Sequence, residues 1–595
     1  MDQQRDLVVR FEGDSGDGIV SMGRIFARAA ARTGYHVYTY STFLAVVRGG
    51  QVTFQARISD APLWSQGSDP HILVALNRQA VAENANQLGK GALVIHPPFG
   101  APCEEIPPDV EVLEIDFKEI SESETGGARS KNIAALGVLL GILGFEKDPV
   151  AQIVSESFRG KGTDVTTANL NALDAGYEEG AKYAEHGARF SFPSPELRPR
   201  LLLSGNEAVA LGALAAGVRF FAGYPITPAS EIMEWLAGQL PKVGGVMIQA
   251  EDEIASLAMC LGASYGGVKA MTATSGPGLS LMIELLGLAG MAELPVVVVD
   301  VQRAGPSTGM PTKEAQGDLV LAAYGSHGEI PRVVIAPQTV ADCFTQTVRA
   351  VNVAHQFHIP VIVLSSQSLS HRMQTIDPPD MSKLEIFEEP IYDPERDKTP
   401  FVRYPDTPDG LPVPRSIPGV PGGMYRCGGL EHNELGNPDF DPAVRRRMVS
   451  RRLKRMEAIA NAFRGKTYRY DTAQATPWGL MSWGATAPVA MEAIRDLEKE
   501  GIAIRALLPH VLWPMPENAI RSFLASGIRT LFIAELNATA QFAEMLRAHF
   551  TRELLEHGIE VVTITKDEGL PFTPAEISHS IRSHLAKQSV SEVVQ

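Results

Sequence analysis

Cysteine is scarce in this chain. The four present, Cys103, Cys260, Cys343 and Cys427, stand far apart with no Cys-x-x-Cys pair. Zinc ribbons and ferredoxin-type ligand runs need closely spaced thiolates, so neither is built from this chain alone. Positive charge is also in deficit: 53 Lys and Arg face 69 Asp and Glu, for a formal net charge of −16. Such a surface repels phosphate backbones and anionic membrane faces, so neither nucleic acid nor membrane is an expected partner. No apolar run approaches the length that spans a bilayer. The longest apolar neighbourhood, residues 279–301, is interrupted by Glu284, Glu293 and Pro295. The opening MDQQRDLVVR has no basic region ahead of an apolar stretch, so the expected location is the cytoplasm.

What is present is a chain of 595 residues, 45% hydrophobic, too long for one core and too apolar for disorder. Residues 6–11 read as a strand, 13–18 as a Gly/Asp loop and 19–33 as a helix, with further strands at 72–76 and 92–95. Proline and charge concentrate between Arg189 and Arg200, where a domain boundary is placed. From 201 to about 366, strands at 246–249, 296–301, 333–335 and 361–364 alternate with helical stretches. That alternation predicts a parallel sheet with helices on both faces. A Pro/Gly-rich linker follows, relieved by one basic helix over 442–463, and the α/β alternation resumes with strands at 502–508, 530–535 and 560–564.

Four motifs carry the chemistry. In FFAGYPITPASEIMEWLA, the turn Tyr224-Pro225-Ile226-Thr227-Pro228 joins a strand to a helix. Its prolines fix the backbone, Thr227 offers a hydroxyl and Ser230 can cap the helix. EDEIASLAMCLGASYGG puts Glu251, Asp252 and Glu253 at a helix start, where acids oppose the dipole for about 0.3–1 kcal/mol each. In MTATSGPGLS, the residues Thr274, Ser275 and Gly276 lie between a strand and a helix. Bare amides there can approach a cofactor, or form an ordinary turn. In VQRAGPSTGMPTKEAQGDL, Arg303 follows a buried run at the carboxyl end of a parallel strand, where open α/β sheets place their ligands. A guanidinium at that point suits a carboxylate, a structural partner or solvent.

In their order, these four motifs resemble the pyrimidine-binding domain of 2-oxoacid:ferredoxin oxidoreductases. EGDSGDGIVSMGRIFARAA and VVRGGQ resemble the family's gamma domain, and the end of the chain resembles its transketolase C-terminal-like domain. The wording TGMPTK is similar to the 2-oxoglutarate branch with gamma fused ahead of alpha. The resemblance implies an α/β multidomain fold. It would comprise a gamma domain over 1–190, a doubly wound parallel sheet binding the pyrimidine of thiamine diphosphate over 200–370, a linker over 371–470 and the transketolase-like domain over 471–595.

It also implies roles. Glu253 would be the carboxyl that hydrogen-bonds the cofactor's pyrimidine nitrogen, because it precedes Gly262-Ala263 at the family's spacing, whereas Glu251 and Asp252 do not fit. Arg303 would hold the C1 carboxylate of the 2-oxoacid, with Thr312 and Thr227 donating hydroxyl bonds nearby and Lys313 a weaker candidate. Tyr224, Pro225, Thr274, Ser275 and Gly276 would line the cofactor. The implied reaction is reversible oxidative decarboxylation of 2-oxoglutarate, with coenzyme A taking the succinyl group and ferredoxin the electrons. The diphosphate site with its Mg2+ and the 4Fe-4S cluster would lie on a beta subunit, in a dimer of alpha–beta pairs.

Other motifs stay outside this reading. Gly16-Asp17-Gly18 begins like the thiamine magnesium motif, but no Asn occurs between Gly18 and Gly50. It fits the gamma-domain loop better, although Ser15 and Asp17 replace the residues commonest there. The dinucleotide reading fails the G-x-G-x-x-G spacing. The basic run Arg445, Arg446, Arg447, Arg451, Arg452, Lys454 and Arg455 reads first as a solvated or packing face, and second as a dock for an acidic partner or a phosphate. Glu535-Leu536-Asn537 through Gln541 resembles a family signature with Ala540 where Gly is usual, and is expected to be structural. The alternatives are a pyruvate or branched-chain 2-oxoacid oxidoreductase subunit, and a noncatalytic scaffold.

Overall fold

A computed structural model describes residues 6–42, 50–125, 127–190, 195, 197–397 and 400–594. Four residues of the VVRGGQ segment, 46–49, lie outside these. The chain divides into two compact units, residues 1–203 with 372–379, and residues 204–371 with 380–595.

The first unit is built on an eight-stranded mixed sheet. Its strands run in the order Glu111–Glu114, Leu93–His96, Ile72–Ala75, Asp6–Asp14, Gln51–Ser59, His36–Thr42, Met373–Ile376 and Leu201–Ser204. The first four are mutually parallel, and the next two join antiparallel. Helix Lys131–Leu143, KNIAALGVLLGIL, is apolar all round and buried, which a surface helix cannot be. It packs against Thr163–Ala181 at backbone distance: a Cβ at Gly137 would strike the Leu173 carbonyl, and one at Gly176 the Ala134 carbonyl. Residues 373–376 fall in the stretch read as linker, yet pair with His36–Thr42. A short strand drawn from more than 300 residues away leaves no local pattern to read.

The second unit holds two sheets. The larger runs Val511–Trp513, Val333–Ile335, Pro360–Ser366, Val296–Gln302, Ala270–Thr274, Phe220–Gly223 and Val246–Gln249. It is parallel except at Val511–Trp513. Central parallel strands are covered on both faces and so read as continuous apolar runs; every residue of Val296–Gln302 is buried. The smaller sheet runs Tyr468–Tyr470, Arg505–Leu508, Trp478–Ser482, Thr530–Glu535 and Glu560–Thr565. One apolar core joins them, with Val296 and Leu279 in the same cluster as Trp483 and Leu507.

The irregular stretch between the sheets is held by buried ion pairs. Glu293 receives Arg451 and, at 3.0 Å, Arg455, all three essentially without solvent contact. Glu389 receives Arg415 at 2.7 Å together with His355 and His358. The basic helix Pro442–Ala462 therefore turns Arg451, Arg452 and Arg455 inward, a packing face, while Arg445 and Arg446 remain exposed.

Candidate functional site

The start of helix Glu253–Tyr265 separates its three acids. Asp252 is the N-cap, accepting the Ala255 N–H at 2.7 Å, and Glu251 is exposed. Glu253 opens the helix with only 6% of its surface exposed. A cap needs a short acceptor just ahead of the first turn, and Asp252 takes that task, leaving the Glu253 carboxyl without a hydrogen-bonding partner among the described residues.

Glycine makes room for it. Helix Gly276–Ala292 begins directly after the buried strand Ala270–Thr274. A Cβ added at Gly278 would lie 2.7 Å from Glu253 Oε1, and one at Gly276 would lie 2.7 Å from Asp318 Oδ2. Two carboxylates from different elements thus rest on the bare first turn of one helix, the end whose dipole favours negative charge. Side chains, then, take up the space left by these glycines. Thr274 and Ser275 are fully buried, and the Ser275 hydroxyl, although at the N-cap, makes no cap bond and has no described partner.

Arg303 leaves the end of strand Val296–Gln302 with 7% exposure. Its Nη1 donates to the Thr227 carbonyl at 2.7 Å, while its buried Nε has no described partner. Burial presses its pKa down and the charges of Asp318 and Glu253 oppose that. The Thr227 contact is made by the backbone, and its side chain, with Tyr224 and Pro225, is exposed. The segment after Arg303 turns back: Met310 donates to the Ala304 carbonyl at 2.8 Å and Ala304 to the Lys313 carbonyl at 3.0 Å. The return brings the buried Thr312 beside the strand end. Lys313 is half-buried, its stem against Gly569.

Three residues unmarked by the sequence reading join this group. Asp300 and Gln302 share a face of the central strand, and the Gln302 side-chain Oε1 accepts the Asp318 N–H at 3.1 Å. The available signal was an acid inside the apolar run PVVVVDV. The C-terminal signature braces this loop. Leu536 N–H and Asn537 Nδ2 donate to the side chain and carbonyl of Gln316, and Gln541 Nε2 to the Gly317 carbonyl. Buried Glu535 meanwhile accepts the Phe542 and Ala543 amides. In the first unit, Asp17 pairs with Lys131 at 2.8 Å.

Residues 211–451 match the family described as pyruvate flavodoxin/ferredoxin oxidoreductase, thiamine diP-bdg, and residues 8–179 that described as pyruvate ferredoxin/flavodoxin oxidoreductase. Over 98% of this chain and 93% of the relative, the sequence is 33% identical to the 2-oxoglutarate oxidoreductase subunit KorA of Mycobacterium tuberculosis. The chain belongs to this oxidoreductase family. Another KorA relative, the 2-oxoglutarate synthase subunit of Methanothermobacter marburgensis, is 39% identical over 58% of this chain and 90% of its own length. A solved structure is similar over almost the whole chain. The 2-oxoglutarate:ferredoxin oxidoreductase of Magnetococcus marinus, determined with 2-oxoglutarate, coenzyme A and succinyl-CoA bound, superposes with a TM-score of 0.90 at 37% identity, covering 98% of this chain and all of that one. KorA proteins are named as subunits, so members work with other chains. Among the described residues no helix is long and apolar enough to cross a membrane.

Proposed function

We propose that this chain is the gamma–alpha subunit of a cytoplasmic 2-oxoglutarate:ferredoxin oxidoreductase, converting 2-oxoglutarate and coenzyme A to succinyl-CoA and carbon dioxide while ferredoxin is reduced. The observation that carries this is the full-length likeness to the Magnetococcus marinus enzyme with those molecules bound. The residues fit thiamine diphosphate. A buried carboxyl without a partner, on a helix start cleared by glycine, awaits a hydrogen-bond donor such as a protonated ring nitrogen.

When bound, the cofactor supplies the nucleophile and electron sink that let the carboxyl group leave as carbon dioxide. Glu253 holds the proton at the pyrimidine nitrogen. Arg303, with Nε free, binds the substrate's C1 carboxylate, and Thr312 and Thr227 flank it; Tyr224, Pro225, Thr274, Ser275 and Gly276 form the surrounding wall. Burial keeps Arg303 poorly hydrated, which strengthens its attraction for an anion. The four cysteines are too dispersed to hold a cluster. A beta subunit therefore supplies the 4Fe-4S cluster and the Mg2+-diphosphate site, in a dimer of alpha–beta pairs.

The test is co-expression with a beta chain of the family, followed by a panel of 2-oxoacids. Reduction of ferredoxin with 2-oxoglutarate and coenzyme A, in preference to pyruvate and branched-chain acids, is the expected result. Turnover by the lone chain, or preference for pyruvate, would overturn it.

A further inference from the structure

The carboxyl groups of Asp300 and Asp318 face each other in the interior. Strand alternation puts Thr272, Thr274, Asp300 and Gln302 on one face of the sheet, since Thr274 is paired in register with Asp300. Gln302 holds the Asp318 amide, and the Asp318 carboxylate rests over Gly276. Both Asp300 oxygens and Asp318 Oδ2 are cut off from solvent and have no donor among the described residues. The hydroxyls of Thr272 and Ser275 are likewise unsatisfied. Two ionised carboxylates in contact within a low dielectric repel strongly, and a buried charge without a donor is costly. A single shared proton removes both costs, as one acid donates to the other.

We propose that Asp300 holds this proton and donates it to Asp318, so that the pair presents one negative charge, on Asp318, which positions the Arg303 guanidinium for the substrate carboxylate. The proposal rests on the reading of Arg303 given above. Asp318 is a positioning residue: it acts through Arg303 and not on the reacting atoms. The electrostatics agree with the geometry. Burial, then the facing Asp318, hold the Asp300 carboxyl well above the usual range. Burial pushes Asp318 up to about 6, against the hydrogen bond from Asp300 and the charge of Arg303. At neutral pH Asp318 is the ionised partner. Among the described residues Asp318 is the charged group that acts on Asp300, whose register neighbours are Thr274 and Leu364. Arg303 in turn feels Asp318 and Glu253. The charge on the pair matters because a second anion on it would add to Asp318 and Glu253 in competing with the substrate's own carboxylate for the guanidinium.

Two measurements test this. The first is infrared spectroscopy of the full chain at neutral pH, comparing wild type with Asp300→Asn. A C=O stretch from a protonated carboxylic acid is expected in the wild type and absent in the variant; no such band in the wild type overturns the shared proton, whatever Arg303 does. The second uses the reconstituted complex. Asp318→Asn should raise KM for the 2-oxoacid about tenfold with a smaller fall in kcat, as expected when a group that orients a binding residue is lost. The wild type should show a rise in KM at alkaline pH as the second charge forms, and Asp300→Asn, a permanent donor, should abolish that rise. Arg303→Lys separates the two readings. If it raises KM while Asp318→Asn does not, the positioning role is wrong and the Arg303 reading survives; if Arg303→Lys leaves KM unchanged, the Arg303 reading fails while the infrared result still decides the proton.

Discussion

At the scale of single residues, the site rests on a division of labour among three adjacent acids. Asp252 caps the helix, Glu251 faces solvent and Glu253 is buried without a hydrogen-bonding partner among the described residues. Glu253→Gln keeps size and shape but exchanges a charge-assisted acceptor for a neutral amide. It should leave assembly with the partner intact and lower turnover by about a hundredfold or more. Gel filtration with an assay of ferredoxin reduction measures both, and undiminished turnover would remove Glu253 from the mechanism. Arg303→Lys replaces a planar fork with a point charge that cannot reach Thr227 and a carboxylate together, so KM should rise by about ten- to a hundredfold. Substrate titration at saturating coenzyme A reads it. Both residues were legible in the sequence, since each stands in a motif of fixed order. Asp300 was not, because an acid inside a valine run has no visible partner until a loop 18 residues on folds back over it.

At the scale of elements, buried ion pairs tie an irregular stretch to the sheet. Burial alone would raise the Glu293 pKa, but Arg455 and Arg451 hold it well below the usual carboxylate range. A depressed folded-state pKa means stability that is present above the unfolded value, about 4.3 for Glu, and lost as the pH falls through and below it. Urea midpoints followed from neutral toward acid pH should therefore decline in the wild type. Glu293→Gln leaves two arginines buried without their counter-charge and should cost about 3–5 kcal/mol at neutral pH. It should also show a flatter acid limb over the same range. A neutral midpoint equal to wild type would mean that solvent already screens the pair. The direction of the basic helix was only half legible: seven cations in eleven residues predict a charged face, but which of them turn inward depends on where Glu293 and Glu431 sit.

At the scale of the whole molecule, the chain offers a carboxyl and a guanidinium but no clustered thiolates, so activity should appear only on mixing with the beta subunit and thiamine diphosphate. Ferredoxin reduction in the separate and mixed chains checks this directly. Parallel sheets, helix starts and the order of the motifs follow from the sequence, because hydrophobic period, caps and glycine spacing are local properties carried by neighbouring residues. Tertiary structure alone decided three things: residues 373–376 join the first sheet, Gly276 and Gly278 make room for acids of the same chain, and Asp300 meets Asp318. Each is an encounter between segments distant in sequence. A chain encodes such encounters only through the summed packing of its cores, and no window of residues displays them.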